Sequence, residues 1–142
     1  METSRTKFEC DRRRALLLGT AGTAALFSCD LRAFAEDLDF TSLTSIQLAA
    51  MLLHKNFLFV NVHTPYEGEI GNTDAFIVYD KISKNLDKLP KDKDAKIVLY
   101  CRSGRMSEIA ARELTHLGYT RVSHLAGGMN DWKKSGFEVI EK

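Results

Sequence analysis

Short apolar stretches alternate with amphipathic stretches along the chain from residue 40 onward. Near-continuous apolar character, typical of strands buried on both faces, predicts strands at 57–62 and 97–100. Further strands are predicted at 75–79 and 122–125, after a short edge strand opened by Phe40. Apolar residues spaced three and four apart predict helices at 48–54, 80–89, 107–117 and 130–135. Strands that alternate with helices indicate an α/β domain whose parallel sheet is covered on both faces.

Local sequence signals mark several helix ends. Thr44 and Gln47 have the spacing of a capping box ahead of the first helix. Gly118 is placed to end the helix at 107–117. Asp80 is expected to cap the helix at 80–89, whose apolar face is formed by Ile82, Leu86 and Leu89.

The segment from Cys101 to Ser107 lies between a predicted strand and a predicted helix. A thiol at this junction faces unpaired backbone N–H groups and the positive end of the helix dipole. Thiols at helix N-termini with arginines nearby ionise readily, and the thiolate is the nucleophile. Because Arg102 and Arg105 supply the positive charge, Cys101 is the candidate nucleophile.

Phosphoryl transfer and sulfur transfer both use such an anion-binding loop. A cysteine-dependent phosphatase, or an arsenate reductase of that type, needs an arginine six positions after the cysteine to clamp the anion bidentately. Ser107 occupies that position, which disfavours both. A buried, inert thiol is the simpler alternative, but a core cysteine would not normally be followed by Arg-Ser-Gly-Arg.

The short loop resembles the six-residue active-site loop of the rhodanese (sulfurtransferase) family. A second motif, Leu-Ala-Gly-Gly-Met-Asn-Asp-Trp at 125–132, is similar to the family's Leu-x-Gly-Gly-x-x-x-Trp signature. Gly127 and Gly128 allow the backbone to approach a neighbouring loop or ligand closely, and Trp132 supplies a large core anchor. The resemblance covers residues 39–142.

Two positions depart from the family pattern. Rhodanese domains usually carry Asp-x-Arg at the end of the second strand, where this chain has Asn61 and His63. Many family loops carry an arginine where Met106 stands, whereas here it comes one residue earlier, at Arg105. At Asn61 and His63, groups of different chemistry stand where a charged pair normally braces the loop after the second strand.

The resemblance implies a three-layer fold with a five-stranded parallel sheet in the order 3-2-4-5-1. The strands that end at Val62 and Tyr100 are then neighbours at the point where the order reverses, and open α/β sheets bind ligands there. His63, the loop at 67–69, Gly127 and Gly128 are expected to surround Cys101. We expect His63 and the two glycines to support the site rather than to contact substrate.

The resemblance also implies a double-displacement mechanism without a cofactor. The Cys101 thiolate attacks the outer sulfur of a donor such as thiosulfate, and a thiol or cyanide then removes that sulfur from the persulfide. The residues expected to bind the substrate are Arg102, Ser103, Gly104, Arg105, Met106 and Ser107.

A rival prediction from another class is a non-enzymatic persulfide carrier, or a sulfur-sensing or interaction module, that docks on a partner protein such as a sulfur carrier. Both hypotheses need Cys101. Steady turnover with a small donor favours the enzyme, whereas single-turnover loading that requires a partner favours the carrier.

The first 35 residues resemble a bacterial export signal. Three arginines at 12–14 precede a 13-residue apolar run at 15–27, which is shorter than the roughly 20 residues of a membrane span, and Ala-Phe-Ala at 33–35 offers a cleavage site. Residues 13–17 resemble a twin-arginine signal, and the general secretory route stays open. We expect a periplasmic domain at 36–142, with a lipoprotein anchored at Cys29 as the alternative.

The exported domain would be nearly neutral, since residues 36–142 hold 14 Lys and Arg against 15 Asp and Glu. That balance lacks the basic field that nucleic acid requires. Cys10 and Cys29 precede the cleavage site, so Cys101 would be the domain's sole thiol and no internal disulfide could form. The histidines have no metal-binding spacing, and no metal site is predicted.

Export can be tested by cell fractionation with N-terminal sequencing. We expect an exported protein that begins near Glu36, because the cleavage site ends at Ala35. A lipid-modified start at Cys29 would establish the alternative, and a full-length cytoplasmic protein would refute the signal.

Overall fold

The computed structural model describes residues 39–141. The predicted export segment at 1–35 and the alternative lipid-attachment residue Cys29 lie outside this range. Among the described residues, no helix combines the length and the apolar character needed to cross a membrane.

Within residues 39–141, five parallel strands form the main sheet, and two further strands form a small antiparallel ladder. In chain order the strands are β1 (Thr41–Leu43), β2 (Leu58–Asn61), β3 (Glu69–Ile70), β4 (Ala75–Phe76), β5 (Ile97–Tyr100), β6 (Val122–Leu125) and β7 (Val139–Ile140). The main sheet has the order β1-β6-β5-β2-β4. Numbered as five strands and read from the other edge, this is 3-2-4-5-1, so the predicted α/β fold is confirmed.

The α-helices are α1 (Ser45–Leu52), α2 (Arg105–His116) and α3 (Gly128–Lys134). The predicted capping box begins α1: the Gln47 N–H donates to Thr44 Oγ1 at 3.3 Å, and the Thr44 N–H donates to Gln47 Oε1 at 2.9 Å. Helix α2 starts two residues before the predicted 107 and ends just before Gly118, whose φ is +91°.

Side chains alternate between the two sheet faces along β5. Ile97 and Leu99 pack in the core beneath α2, whereas Val98 and Tyr100 pack in the core that contains Trp132 of α3. Successive strand side chains point to opposite faces. Cys101 continues the first set, so its side chain lies on the α2 side of the sheet.

The predicted helix at 80–89 is wrong. The segment instead forms two short 3₁₀-helices, Tyr79–Lys84 and Leu86–Lys88, separated by Asn85 in a non-helical conformation. The Asn85 side chain donates to the Lys81 carbonyl at 2.8 Å and so competes with regular helical bonding. Ile82 and Leu89 are buried as expected, but Leu86 is 44% exposed.

Hydrogen bonds from the Tyr100 side chain connect the main sheet to β3 and to the segment that follows β3. Its hydroxyl accepts the Ile70 N–H at 3.0 Å and lies 2.6 Å from Thr73 Oγ1, which also donates to the Ile70 carbonyl. Burial raises the pKa of Tyr100 to about 12, so the phenol stays neutral in this hydrogen-bonded position.

We expect Tyr100→Phe to lower the free energy of unfolding by about 1–3 kcal/mol, because the buried Ile70 N–H would lose its acceptor. Chemical denaturation measures this loss. Tyr79→Phe is the matched control, since the half-buried Tyr79 hydroxyl has no hydrogen-bond partner among residues 39–141. Equal losses in both variants would contradict the assignment.

Candidate active site

Cys101 lies directly after β5 and beneath the start of α2. The residue is 1% exposed, and the Gly104 N–H donates to its sulfur at 3.0 Å. Gly104 is the N-cap residue of α2, and because it has no side chain it cannot cap the helix. The first N–H groups of the helix therefore have no side-chain cap, and such a helix N-terminus favours negative charge.

Gly104 can occupy this position only because it is glycine. Its φ is +96°, and a Cβ on it would lie 1.7 Å from the Ala126 carbonyl oxygen. No side chain fits such a gap, and the left-handed conformation is itself costly for other residues. The chain after β6 therefore presses directly on the loop that follows β5.

The start of α3 holds the same loop from the other direction. The Met129 N–H donates to the Cys101 carbonyl at 2.9 Å, and the Asn130 N–H donates to the Arg102 carbonyl at 2.9 Å. Gly128 has a φ of +59°, and a Cβ on it would lie 2.5 Å from both carbonyl oxygens. A Cβ on Gly127 would instead meet the Asp131 side chain at 2.2 Å.

Ser107 lies beneath the loop, in the first turn of α2, and is fully buried. Its hydroxyl lies 3.8 Å from Cys101 Sγ, within range of a weak sulfur hydrogen bond, and donates to the Gly104 carbonyl at 2.9 Å. Of the predicted substrate-binding residues, Gly104 and Ser107 thus contact the Cys101 sulfur itself.

His124, on β6, contacts Ser107 in turn. The ring is 5% exposed; its Nδ1 lies 3.1 Å from Ser107 Oγ and its Nε2 lies 3.1 Å from Ser42 Oγ. Burial lowers the pKa of His124, an effect that Glu108 and the Gly104 carbonyl partly oppose, so the ring is neutral near pH 7.

The rim of the site is formed by the loop after β2. Asn61 braces it: the amide donates to the Gly68 carbonyl at 2.9 Å and accepts the His63 N–H at 3.0 Å. His63 is buried, and its Nε2 lies 3.2 Å from Glu67 Oε2. Neither ring nitrogen has a hydrogen-bond partner among the described residues, so the Glu67 carboxylate is a close neighbour of the ring without a hydrogen bond to it.

The two arginines of the loop have different surroundings. The Arg102 side chain is 57% exposed and lies 3.3 Å from the Glu67 carboxylate. Arg105 is also exposed and forms no ion pair with any of residues 39–141. Ser103 is exposed beside them, whereas Met106 is half-buried and packs against the core beneath α2.

Two cavities flank the loop. One, of about 140 Å³, is lined by Glu67, Arg102 and Met129 among others. The other, of about 420 Å³, is lined by Ser103, Arg105 and His124 among others. A third cavity, of about 460 Å³, lies at the amino ends of the strands, away from Cys101. Because open α/β sheets bind ligands beyond the carboxyl ends of their strands, we assign the site to the Cys101 end.

The structure thus brings Cys101, Gly104, Ser107 and Gly128 together and places Arg102, Ser103 and Arg105 at the exposed edge. His63 lies at the rim, linked to the loop through Glu67. Sequence reasoning missed the place of His124 in the site, although a histidine within the predicted strand at 122–125 was an available signal. Among residues 39–141, no group of three His, Cys, Asp or Glu side chains could hold a metal ion.

Comparison with known proteins agrees with this geometry. The sequence model of the family described as Rhodanese-like domain matches residues 47–135. The tRNA uridine(34) hydroxylase of Erwinia tasmaniensis is 33% identical over 102 residues, which cover 68% of this chain but only 29% of the hydroxylase.

Two solved structures show the same fold. A rhodanese-related protein from Thermoplasma volcanium is 25% identical, with a TM-score of 0.60 over 72% of this chain and 99% of that one. A rhodanese-like domain protein from Staphylococcus aureus is 26% identical, with a TM-score of 0.57 over the same shares of the two chains. The family match spans more than half of the sequence, and the chain therefore belongs to the rhodanese-like domain family.

Proposed function

We propose that the protein is a sulfurtransferase that carries sulfur as a persulfide on Cys101. Membership in the family supports sulfur-transfer or related chemistry. The observation that carries the proposal is the position of Cys101 Sγ, which accepts the Gly104 N–H at 3.0 Å at the start of a helix that no side chain caps. A sulfur anion is stabilised there by backbone N–H groups and by the helix dipole.

The chemistry balances without a cofactor. The Cys101 thiolate attacks the outer sulfur of thiosulfate, a new S–S bond forms, and the S–S bond of the donor breaks as sulfite leaves with the electron pair. An acceptor thiolate then attacks the outer sulfur of the persulfide. The Cys101 thiolate is restored, and the acceptor leaves as a persulfide.

The uneven surroundings of the arginines suggest how the donor is held. Glu67 already offsets the charge of Arg102, whereas Arg105 has no acidic partner within residues 39–141. We therefore assign recognition of the anionic donor mainly to Arg105, with Arg102 adding local positive potential. The position of Ser107 supports sulfur transfer over phosphate chemistry, because a buried serine stands where a phosphatase needs its clamping arginine.

The chain spans 29% of the length of the curated hydroxylases that it matches, so we propose only the chemistry that its own site supports. The near-complete burial of Cys101 favours a small donor. A persulfide carrier would share the first half-reaction, and a panel of donors and acceptors separates the two: multiple turnovers with small molecules support the enzyme, and loading that needs a partner protein supports the carrier.

Incubation with thiosulfate is expected to add one sulfur atom to the peptide that contains Cys101, and a reducing thiol should remove it. Peptide mapping by mass spectrometry measures the addition. Cys101→Ser should abolish it, because the hydroxyl cannot take up sulfane sulfur. Sulfur transfer that persists in the Ser variant would exclude the mechanism.

Gly104→Ala should reduce sulfur loading more than tenfold, because the new Cβ would push the loop away from Ala126 and displace the N–H that faces Cys101. Gly118→Ala is the matched control, since Gly118 has a nearly equal φ of +91° at the other end of α2 with no atom within 4 Å of its added Cβ. The control should lose about 1 kcal/mol of stability from backbone strain and keep its sulfur loading. Parallel loss of loading in both variants would show that strain alone is responsible.

Arg105→Ala is expected to lower kcat/KM for thiosulfate by roughly ten- to a hundredfold, since a hydrogen bond to a charged group contributes about 1.5–3 kcal/mol. Arg102→Ala should cost less, and its effect should shrink further at high salt, because its charge is exposed and already paired. Steady-state kinetics at low and high ionic strength tests the difference. Equal, salt-independent losses would mean that the arginines maintain the loop instead of binding the anion.

A further inference from the structure

The buried hydroxyl of Ser107 has three polar neighbours beneath the nucleophile. Ser107 Oγ lies 2.9 Å from the Gly104 carbonyl, 3.1 Å from His124 Nδ1 and 3.8 Å from Cys101 Sγ. A serine hydroxyl has one hydrogen to donate and can accept through its lone pairs. Which of its neighbours receives that hydrogen depends on whether His124 Nδ1 is a donor or an acceptor.

Two features of the surroundings favour a hydrogen on Nδ1. The Gly104 carbonyl, which can only accept, takes the Ser107 hydrogen across 2.9 Å, so that Ser107 Oγ meets Nδ1 as an acceptor. At the other end of the ring, the hydroxyl of the exposed Ser42 can donate to Nε2 across 3.1 Å. The neutral imidazole then donates from Nδ1 and accepts at Nε2, which matches every contact that the ring makes.

We propose that His124 is a positioning residue that directs the Ser107 hydroxyl proton toward Cys101 Sγ. With Nδ1 as donor, the ring cannot take the Ser107 proton, which is left with the Gly104 carbonyl and the sulfur. When Cys101 is a thiolate, its negative charge makes the sulfur the stronger acceptor, because hydrogen bonds to ionised groups are about twice as strong as neutral ones. The sulfur anion then has two donors, the Gly104 N–H and the Ser107 hydroxyl.

The chain Ser42–His124–Ser107–Cys101 crosses three elements of the fold, β1, β6 and α2. The charged residues that line the same cavity as His124 are Arg105 and Glu108, both on α2. From the sheet, the neighbours of the ring are uncharged: Leu99 is its register partner, and Phe40 packs edge-on at 5.3 Å between ring centroids. Any pH dependence assigned to His124 must therefore be distinguished from the effects of the charges on Glu108 and Arg105.

The test is the rate of Cys101 alkylation by iodoacetamide as a function of pH, measured on the full chain by peptide mapping. Since the thiolate is the reacting form, loss of a donor to it should raise the pH of half-maximal rate. We expect a rise of about one pH unit in His124→Leu and in Ser107→Ala, and no further rise in the double variant, because both act through one hydroxyl. His124→Asn, whose amide nitrogen can replace Nδ1, should recover most of the wild-type profile.

His54→Leu serves as the control, because His54 is exposed near the end of α1 and should leave the profile unchanged. Ser42→Ala, a change at an exposed position, provides a variant that does not disturb the core, and it should raise the half-maximal pH by a smaller amount. A profile that stays unchanged in Ser107→Ala and in folded His124→Leu would overturn the proposal, as would additive shifts in the double variant.

The role of His124 rests on the proposed function, but it is tested by alkylation and the proposed function by sulfur loading. Sulfur loading from thiosulfate at pH 7 should fall about tenfold in the variants that shift the alkylation profile. If wild-type protein takes up no sulfur while the alkylation profiles shift as expected, the proposed function fails and the role of His124 stands. If sulfur loading is normal and the profiles do not shift, the role of His124 fails and the proposed function stands.

Discussion

The site depends on close backbone packing between the loop after β5 and the chain between β6 and α3. Gly104 meets the Ala126 carbonyl, and Gly128 meets the carbonyls of Cys101 and Arg102, with no room for a side chain at either position. Two α3 N–H groups donate to the loop's carbonyls. Within the loop held in this way, the N–H of Gly104 donates to Cys101 Sγ. The shape of the loop around the sulfur therefore depends on close packing at two glycines.

A second set of contacts sets the rim. The family usually braces the loop after the second strand with a charged pair, and here the amide of Asn61 holds both Gly68 and His63. An amide satisfies buried backbone groups without the desolvation cost of burying two charges. Glu67 remains available for Arg102, so one exposed carboxylate connects the rim to the catalytic loop. The β3–β7 ladder extends this bracing, since Gly68 lies where a Cβ would be 2.6 Å from the Ile140 carbonyl.

The burial of Cys101 in the protein interior has two consequences. Cys101 packs with Leu99 and Val62 in the core beneath α2, which keeps bulk water away from the sulfur. Second, each buried polar neighbour of the sulfur needs a hydrogen-bond partner, because an unpaired polar group is costly to bury. Ser107 and His124 are fully or almost fully buried, and each has partners for its polar atoms. The arrangement supplies donors to an anion while leaving few polar groups unsatisfied.

Several features of the fold and site were predictable from local sequence. Residues 97–100 match β5 because a buried parallel strand leaves a continuous apolar run, and residues 122–125 match β6. The capping box at Thr44 acts through neighbours three residues apart. The Cys101 loop was recognisable from its place between strand and helix. The helix predicted at 80–89 failed because the Asn85 side chain bonds to the backbone, a local competition that apolar spacing does not reveal.

The sequence by itself determined the fold class, the position of the cysteine loop directly after a strand and the glycines that allow tight packing, because each depends on residues close together along the chain. The tertiary structure decided the surroundings of His124, the bracing by Asn61 and the neutral phenol of Tyr100. His124 reaches Ser107 only because β6 lies beside β5, in a register that pairs His124 with Leu99. Contacts across strands far apart in sequence are fixed by the sheet order, and no pattern within one segment encodes the hydrogen bonds that this order creates.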